Sequence, residues 1–588
     1  MTGWKGKARV SRRALLAAGA AGAAALGSPL LTGCGSAGAK GSSASGTKPT
    51  EAPLQLGEEI EGPVYRPGYV GPRARKPVRF GDGKTAFKVV VPQDSANVGD
   101  WNKNKTTAWL EERTGVKVDF QTVLITDANG GTDLTKINAM LSGGNLPDAF
   151  LGIPFTTAQI SLYGQQGLFQ PMDELISVYA PVARQMMKDY PDLRSLKASS
   201  DGKLYQVPSM SDCYHCCSSN GRAWINKVYL DKVGAEMPAT TEELRQVLLE
   251  FKHKNPSGRS GFLPLAAGIG NALDNYFLQP FLYSPTGDQN GGWMRLNNGK
   301  VEFTPNLSEW RDALKYLRQL ADDGLITAQT FSMTSTELQT AGNKSLIGFA
   351  RAYWWGSFFN PVTLDKSAPW RDYVAVPPLT GPNGSRTAQW DYYNYGVNTQ
   401  GLQITSACKD PATLVRWSDA QMDLEATMWT YDGIKGKNWF WGDKGAKGID
   451  GKQALWRDVQ WPAPEGQSWS QYATMYRSLD FRNGQQVDPK APTYEAGLYQ
   501  AGKVYEQYAE PKEMQLPPLI IPDESAAQVA DTATSIKQAV EQGMAEFALG
   551  KKDITNDADW NAYTDAFDAM NLKGYLDIYQ KAYDSRPK

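Results

Sequence analysis

Histidine is nearly absent from this sequence, with 2 His among 588 residues, which argues against a His-ligated metal enzyme. A basic surplus is also missing, because 61 Lys and Arg stand against 62 Asp and Glu and the formal net charge is −1. The chain therefore lacks the positive charge that attracts nucleic acid. Beyond the N-terminal 33 residues, no apolar run approaches the length of a membrane span.

The motifs of common enzymes are missing as well. The sequence contains no Gly-x-Ser-x-Gly, no Walker loop and no His-Glu-x-x-His. A glycoside hydrolase needs two carboxylates beside a sugar, and no local pattern selects such a pair among the 62 acidic residues. We therefore predict no catalytic residues and no enzyme activity, with a secreted polysaccharide-active hydrolase as the enzymatic alternative.

The N-terminus has the pattern of an export signal. Five basic residues, including Arg12 and Arg13, precede an uncharged stretch rich in Ala and Gly over residues 14–31. Leu31, two small residues and Cys34 follow in the order of a bacterial lipoprotein signal, and Arg12-Arg13 resembles a twin-arginine signal. We predict a signal over 1–33 and a lipid on Cys34, which would anchor the chain outside the cell membrane. The alternatives are a cleaved secretory peptide with an incidental cysteine, and general export.

The next part of the chain predicts a tether followed by an α/β domain. Residues 34–83 are rich in Gly, Ser, Ala and Pro, as flexible linkers are. A strand is expected over 87–91, then a polar loop with Asn97 and Trp101, then a helix over 105–114 that Gly115 ends. A second strand at 116–123 completes a βαβ pattern. Ligands in such sheets bind at the carboxyl ends of strands, so Asn97 and Trp101 are candidate ligand contacts.

Three further motifs resemble one family. Residues 143–150 read Gly-Gly-Asn-Leu-Pro-Asp-Ala-Phe, and residues 166–173 read Gln-Gly-Leu-Phe-Gln-Pro-Met-Asp. Both resemble segments of the family 1 extracellular solute-binding proteins of ABC importers. Residues 431–439, Tyr-Asp-Gly-Ile-Lys-Gly-Lys-Asn-Trp, resemble a motif of the large oligosaccharide-binding lipoproteins in that family. The resemblance extends over 85–588 and implies a two-lobed α/β fold of the periplasmic-binding-protein type II, joined by a multi-strand hinge.

The resemblance also implies where the lobes lie. We expect lobe 1 to comprise residues 84–207 and 350–398. Lobe 2 is expected to comprise 208–349 and 399–588, including the C-terminal helices. The chain would then cross between the lobes near residues 201–208 and again near 348–355.

The implied function is capture of an oligosaccharide by closure of the lobes, followed by delivery to the transmembrane subunits of an ABC permease. The protein would act as a monomer. The 64 aromatic residues suit this function, because sugar rings stack on indole faces. A binding protein for peptides or another solute is the alternative of a different ligand class.

The candidate ligand contacts are aromatic and polar clusters beside the expected crossings, although such clusters also occur as core packing. Besides Asn97 and Trp101, they are Tyr353, Trp354, Trp355, Arg222, Trp224, Trp390, Asp391, Tyr392 and Tyr393.

We expect no cofactor. In similar proteins the stretch after the helix near 242–252 often forms a calcium loop, but here residues 255–261 lack carboxylates and include Arg259. Four cysteines follow Cys34, and three of them cluster in Cys-Tyr-His-Cys-Cys at 213–217. In an exported protein we expect disulfides or structural thiols among Cys213, Cys216, Cys217 and Cys408 instead of a metal site, with the pairing open.

Overall fold

A computed structural model describes residues 56–126, 132–270, 272–285, 292–393 and 401–586, without the side chains of residues 523 and 527. The signal, Cys34 and the first part of the expected tether lie outside these residues. Within them, no helix is both long and apolar enough to cross a membrane.

The first chain segment builds most of lobe 1. Its elements are β1 (Ala86–Pro92), α1 (Lys105–Thr114), β2 (Lys117–Val123), α2 (Thr135–Ser142), β3 (Ala149–Leu151), α3 (Thr157–Gln165), α4 (Asp173–Tyr179), α5 (Pro181–Asp189), α6 (Leu193–Lys197) and β4 (Met210–Ser211).

The second segment builds most of lobe 2. Its elements are α7 (Tyr214–Cys217), β5 (Ala223–Asn226), α8 (Lys227–Val233), α9 (Thr241–Lys254), β6 (Leu263–Ala266), α10 (Asp274–Phe277), β7 (Met294–Asn297), β8 (Lys300–Phe303), α11 (Ser308–Asp322), α12 (Ala328–Ser332), α13 (Ser335–Asn343), β9 (Ile347–Arg351) and β10 (Tyr373–Ala375).

The remaining chain returns to lobe 1 and then ends in lobe 2. Its elements are β11 (Leu402–Ile404), α14 (Pro411–Gln421), α15 (Leu424–Asp432), β12 (Trp439–Trp441), β13 (Trp456–Asp458), β14 (Tyr476–Arg477), α16 (Leu479–Asn483), α17 (Tyr494–Glu506), α18 (Asp523–Ala548), α19 (Asp557–Ala569) and α20 (Leu572–Ser585).

Local sequence rules account for several element boundaries. Helix α1 ends at Gly115, whose φ of 73° is the left-handed conformation that glycine adopts at helix ends. At the start of α9 the Thr240 side chain accepts from the Glu243 N–H, while the Glu243 side chain accepts from the Thr240 N–H. The expected helix over 105–114 and its end at Gly115 are confirmed.

Each lobe has its own four-stranded sheet. In lobe 1 the order is β11-β3-β1-β2, with β1 parallel to β2 and β3 and with β11 antiparallel to β3. In lobe 2 the order is β10-β5-β9-β6, with β9 parallel to β6 and antiparallel to β5. The short strands β4 and β14 pair with each other where the chain crosses from one lobe to the other.

The strand pairing corrects the expected lobe boundaries. Strand β9 and strand β10 both belong to the lobe 2 sheet, so the described part of the expected segment 350–398, residues 350–393, is not part of lobe 1. Conversely, Leu402–Ile404 pairs with Ala149–Leu151 in lobe 1, so lobe 2 does not begin at residue 399. A buried apolar strand fits the interior of either lobe, and its sequence alone therefore does not identify its sheet.

The expected tether over 34–83 is also too long. Residue Glu59 forms a β-bridge with Arg75, and the Arg75 N–H donates to Asp423 at 2.7 Å. Tyr69 and Ala74 are buried in a small core that also contains Leu424 and Phe481. The described part of the segment, residues 56–83, is therefore packed against lobe 1, because it supplies apolar side chains to that core.

Candidate functional site

A cavity of about 450 Å³ lies at the carboxyl ends of the parallel strands of lobe 1. Asp94 and Asn97 follow β1, and Tyr472 packs against Gly152, which follows β3. A Cβ atom at position 152 would lie 3.0 Å from the Tyr472 Cβ, so this approach requires glycine. We call this space the strand-end cavity; it is lined by Asp94, Asn97, Trp461, Pro462, Ser470, Gln471 and Tyr472.

Four aromatic side chains connect the strand-end cavity with lobe 2. The ring of Trp461 lies 5.7 Å from that of Tyr431 and 6.2 Å from that of Tyr494, measured between centroids. Tyr494 begins α17 and lies 5.6 Å from Trp354, which follows the carboxyl end of β9. This aromatic run, Tyr431, Trp461, Tyr494 and Trp354, thus joins the strand ends of both lobes, where ligands bind in open α/β sheets.

A buried carboxyl group lies beside the aromatic run without a hydrogen-bond partner among the described residues. It belongs to Asp432, the last residue of α15, and neither of its oxygens is paired. Burial raises its pKa well above the ordinary value, and the neighbouring Asp458 adds to this effect. The C-terminal end of a helix also disfavours a carboxylate. Buried polar groups are usually hydrogen-bonded, so the two unpaired oxygens make Asp432 a candidate ligand contact.

Arginine side chains complete the polar surroundings. Arg477 lies over the Tyr431 ring, with 4.7 Å from its Cζ to the centroid, and donates to the Gln471 side chain at 3.1 Å. Burial, and then the charge of Arg482, lowers the pKa of Arg477 to about 10. The Trp461 indole N–H has no partner in the described chain. Flat rings with free donors and acceptors beside them can bind a ligand that has both ring faces and hydroxyl groups.

Tyr472 keeps its proton inside the strand-end cavity. Its hydroxyl donates to the Asp94 carboxylate at 3.3 Å. Burial, and then the charge of Asp94, raises the pKa of Tyr472 to about 12. The phenol is therefore a neutral hydrogen-bond donor at physiological pH.

A second polar cluster, the Arg482 cluster, lies where the chain segments cross between the lobes. It comprises Arg482, Glu495, His215 and the Cys213–Cys216 disulfide. Arg482 Nη2 lies 2.8 Å from Glu495 Oε2, 3.4 Å from each sulfur and 3.5 Å from His215 Nε2. Burial raises the pKa of Glu495, but Arg482 and His215 outweigh it and hold the value at about 2.

The Arg482 cluster contains four side chains that could ligate a metal. Their donor atoms lie within 4.8 Å of one another, but two of them are sulfurs joined in a disulfide. The guanidinium nitrogen already lies among all four donors. The Arg482 cluster is therefore a buried ion-pair network around an arginine. The expectation of a disulfide is confirmed for Cys213–Cys216, while Cys217 and Cys408 are free thiols.

Four of the predicted ligand contacts are core residues, so their assignment is wrong. Trp101 is 1% exposed and its indole N–H donates to the Pro92 carbonyl at 3.1 Å. Trp224 and Trp355 pack on each other, with ring centroids 4.1 Å apart, inside lobe 2. Trp390 is also buried in lobe 2. Aromatic side chains next to strand ends look alike in sequence whether they line a cleft or fill a core.

Two other predicted contacts support the crossing segment. Arg222 is fully buried and donates to the carbonyls of His215, at 2.8 Å, and Tyr353, at 3.3 Å. Arg222 therefore holds backbone groups of the crossing segment and does not line the strand-end cavity. The half-buried Tyr353 donates its hydroxyl to the Cys216 carbonyl. Both side chains hold α7 in place next to the Arg482 cluster.

The predicted cluster Asp391–Tyr393 does not line the strand-end cavity. Asp391 accepts from Gln515 at 3.0 Å, and the Tyr392 hydroxyl donates to the Glu510 carbonyl at 2.8 Å. Tyr393 lines a different cleft of about 1000 Å³, formed by residues 192–202 together with segments 512–524 and 582–586. By contrast, Asn97 lines the strand-end cavity and Trp354 belongs to the aromatic run. These two remain predicted ligand contacts.

Most residues of the site could not be predicted from the sequence. Trp461 and Tyr472 come from a loop-rich stretch that has no periodic pattern to mark it. Tyr431 and Asp432 lie within the motif at 431–439, but nothing in that motif says which side chains point towards a ligand. An aspartate at the end of an apolar helix was the one available signal.

Comparison with known proteins decides the family. The model of the bacterial extracellular solute-binding proteins matches residues 94–417, more than half of the chain. The chain belongs to this family. The expected two-lobed α/β fold of the periplasmic-binding-protein type II is thereby confirmed.

Individual relatives of this solute-binding protein are distant. It is 27% identical over 370 residues to the fructooligosaccharide ABC transporter substrate-binding protein FusA of Streptococcus pneumoniae. That alignment covers 61% of this chain and 65% of FusA, just under two thirds of the relative. Lipoprotein LipO of Bacillus subtilis is 25% identical over 369 residues, covering 60% of this chain and 68% of LipO. The structure of FusA in complex with kestose superimposes with a TM-score of 0.71 at 23% identity, covering 85% of this chain and 99% of that one.

Proposed function

We propose that this protein is the oligosaccharide-binding component of an ABC importer. The observation that carries the proposal is the aromatic run beside the unpartnered Asp432 carboxyl, at the strand ends of both lobes. Rings of this kind stack on sugar faces, and the free polar atoms bind hydroxyl groups. The family and the FusA relative, whose name states a fructooligosaccharide ligand, support the same ligand class.

Binding drives closure of the two lobes. A ligand shifts this equilibrium only as far as it binds the closed state more tightly than the open one. Trp461 contacts side chains from both lobes, and a sugar stacked there gains contacts as the lobes approach. No covalent chemistry is involved, and the closed complex is the form that the permease recognises.

The test is a calorimetric titration of the full chain with a panel of neutral oligosaccharides that includes kestose, with product analysis after each titration. A ligand at a hundredfold excess over its Kd also stabilises the fold by about 2.7 kcal/mol. Trp461→Ala should weaken binding at least tenfold, because it removes the stacking platform. Trp109→Ala is the matched control: Trp109 is half-buried and stacks on Trp429 at 4.7 Å, outside the strand-end cavity.

Three results would contradict the proposal. Equal losses in Trp461→Ala and Trp109→Ala would place the ligand elsewhere. Cleavage of the bound glycan would favour a polysaccharide-active hydrolase. Absence of binding to every sugar, with binding to peptides, would assign the site to another solute.

We also propose that a lipid on Cys34 anchors the protein on the outer face of the cell membrane, where it works as a monomer with its permease. The order of basic start, apolar stretch and Cys34 supports this arrangement, and LipO is named a lipoprotein. Cys34→Ser should release the protein from the membrane fraction into the medium or the periplasm. Retention of Cys34→Ser in the membrane fraction, without detergent, would contradict the lipid anchor.

A further inference from the structure

The charged side chain that lines the strand-end cavity is acidic. Among the described residues that line it, Asp94 is the charged one, beside the neutral Asn97, Trp461, Gln471 and Tyr472. Glu465 adds a second carboxylate near the rim, because its side chain packs against Gly99 in the loop that follows β1. A ligand that enters this cavity therefore meets negative charge.

Neutral donors hold the Asp94 carboxylate in place. Its Oδ1 accepts from the N–H groups of Ala96, at 3.2 Å, and Asn97, at 3.0 Å. The Asn97 side-chain amide donates to both oxygens, and the Tyr472 hydroxyl donates to Oδ2 at 3.3 Å. No Lys or Arg of the described chain forms an ion pair with Asp94, although Asp100 in the same loop pairs with Lys103. The negative charge is fixed in orientation and remains uncompensated.

One cation, Arg477, lies behind the cavity wall. Arg477 is buried and donates to the Gln471 side chain, so the neutral amide of Gln471 stands between the guanidinium and the cavity. The positive charge of Arg477 also interacts with the buried carboxylate of Glu495. A ligand carboxylate in the cavity would thus face Asp94 without a cation of its own.

From this geometry we infer that the protein selects uncharged, hydroxyl-rich oligosaccharides and rejects acidic ones, with Asp94 as the specificity-determining residue. A sugar hydroxyl donates to a carboxylate in a charge-assisted hydrogen bond, which is stronger than a neutral one. A uronate or other acidic sugar brings a second carboxylate to the same place, and like charges juxtaposed at a binding site disfavour the complex. This inference rests on the proposed function and narrows its ligand class.

The experiment uses matched pairs of ligands. Each pair is a neutral oligosaccharide, such as kestose, maltotriose or laminaritriose, and the same sugar with its primary alcohols oxidised to carboxylates. Calorimetric titration of the full chain gives the Kd for both members. For any sugar that binds, we expect the neutral oligosaccharide to bind at least tenfold more tightly than its oxidised, acidic counterpart. High salt should narrow this ratio, because it screens the repulsion.

Asp94→Asn tests the assigned residue, since it removes the charge and keeps the size of the side chain. The ratio between neutral and acidic ligand should fall towards one, while the neutral ligand itself binds less tightly because its charge-assisted hydrogen bond is lost. Asp100→Asn is the control. Asp100 belongs to the same loop, is exposed and pairs with Lys103 at 3.0 Å, so the ratio should not change.

The possible failures are distinguishable. Equal binding of both members, or tighter binding of the acidic one, would overturn the inference and leave the oligosaccharide-binding function standing. An unchanged ratio in Asp94→Asn would overturn the role of Asp94. Absence of binding to every pair would contradict the proposed function itself.

Discussion

Two aromatic clusters of this protein have similar ring geometry and different surroundings. In the core of lobe 1, the ring of Trp101 lies 5.1 Å from Phe120 and 5.5 Å from Trp469. In the aromatic run between the lobes, neighbouring rings are separated by 5.6 to 6.2 Å. Ring spacing therefore does not distinguish a core from a binding site.

The polar atoms distinguish them. In the core cluster, the indole N–H groups of Trp101 and Trp469 donate to the Pro92 carbonyl and to Thr107 Oγ1. Beside the aromatic run, the Trp461 N–H and both oxygens of Asp432 lack a partner within the described chain. Buried polar groups are normally paired, so these unpaired groups support the proposed ligand site beside the aromatic run. Substitutions in the core should therefore lower the free energy of unfolding, whereas substitutions in the aromatic run should mainly lower the affinity for the ligand.

The largest contrast is expected for two adjacent residues. Trp355→Ala should reduce the free energy of unfolding by about 3–5 kcal/mol, because it leaves a cavity in the lobe 2 core. Trp354→Ala removes a half-buried ring of the aromatic run and should mainly weaken ligand binding. Urea unfolding and calorimetric titration of both variants measure the two effects. Comparable destabilisation by both substitutions would remove the distinction between core and site.

A smaller effect on stability is expected when the pH is lowered and the Arg482 cluster loses the charge of Glu495. The pKa of Glu495 is held at about 2, below its ordinary 4.5, so its contribution to stability is full above pH 4.5 and disappears as the pH falls towards 2. At about 1.4 kcal/mol per pKa unit, this contribution is about 3 kcal/mol. Glu495→Gln should therefore be much less stable than wild type at pH 6, and the gap should narrow at pH 3.

Urea unfolding at pH 6 and at pH 3 measures this gap, which is the difference in the free energy of unfolding between wild type and the variant. Glu513→Gln, which removes an exposed carboxylate, serves as the control and should show a gap near zero at both. A gap for Glu495→Gln that stays constant or widens on acidification would show that the carboxylate is not stabilised by Arg482.

The smallest effect is expected at Asp432, where a substitution should raise stability instead of lowering it. Asp432→Leu replaces a buried carboxyl group that lacks a partner in the described structure with an apolar side chain of similar size, and should raise the free energy of unfolding by about 1 kcal/mol. The same substitution should weaken oligosaccharide binding at least tenfold, because the ligand loses the hydrogen-bonding group of Asp432. Denaturant unfolding and calorimetry measure the two quantities. A loss of stability with unchanged binding would make Asp432 a structural residue.

Much of the fold could be predicted from local patterns. The β-branched run at 87–91, the glycine at 115 and the capping pair Thr240 and Glu243 determine their elements through interactions between near neighbours in the chain. The lobe to which a strand belongs could not be predicted in this way. Strand Tyr373–Ala375 pairs with Ala223–Asn226, about 150 residues away, and neither strand contains a feature that selects the other.

The site was less predictable than the fold. Asn97 was found because it follows a strand whose end could be recognised. The assignments of Trp101, Trp224, Trp355 and Trp390 failed because burial depends on residues distant in sequence, such as Trp469 for Trp101 and Trp370 for Trp355. Asp94 lies three residues from Asn97 and was missed, since an unpaired charge is recognised only when its surroundings are known.

The amino-acid sequence by itself determined the class of the fold, its family, and the α/β alternation that places ligands at strand ends. These follow from short-range periodicity, caps and motifs, whose interactions involve residues close in the chain. The tertiary structure alone decided which aromatic rings fill a core and which line the cavity. It also decided that, within the described chain, Asp94 forms no ion pair and the Asp432 carboxyl has no hydrogen-bond partner. Those properties depend on contacts between segments hundreds of residues apart, such as Asp94 with Tyr472 and Arg482 with His215, which no local pattern encodes.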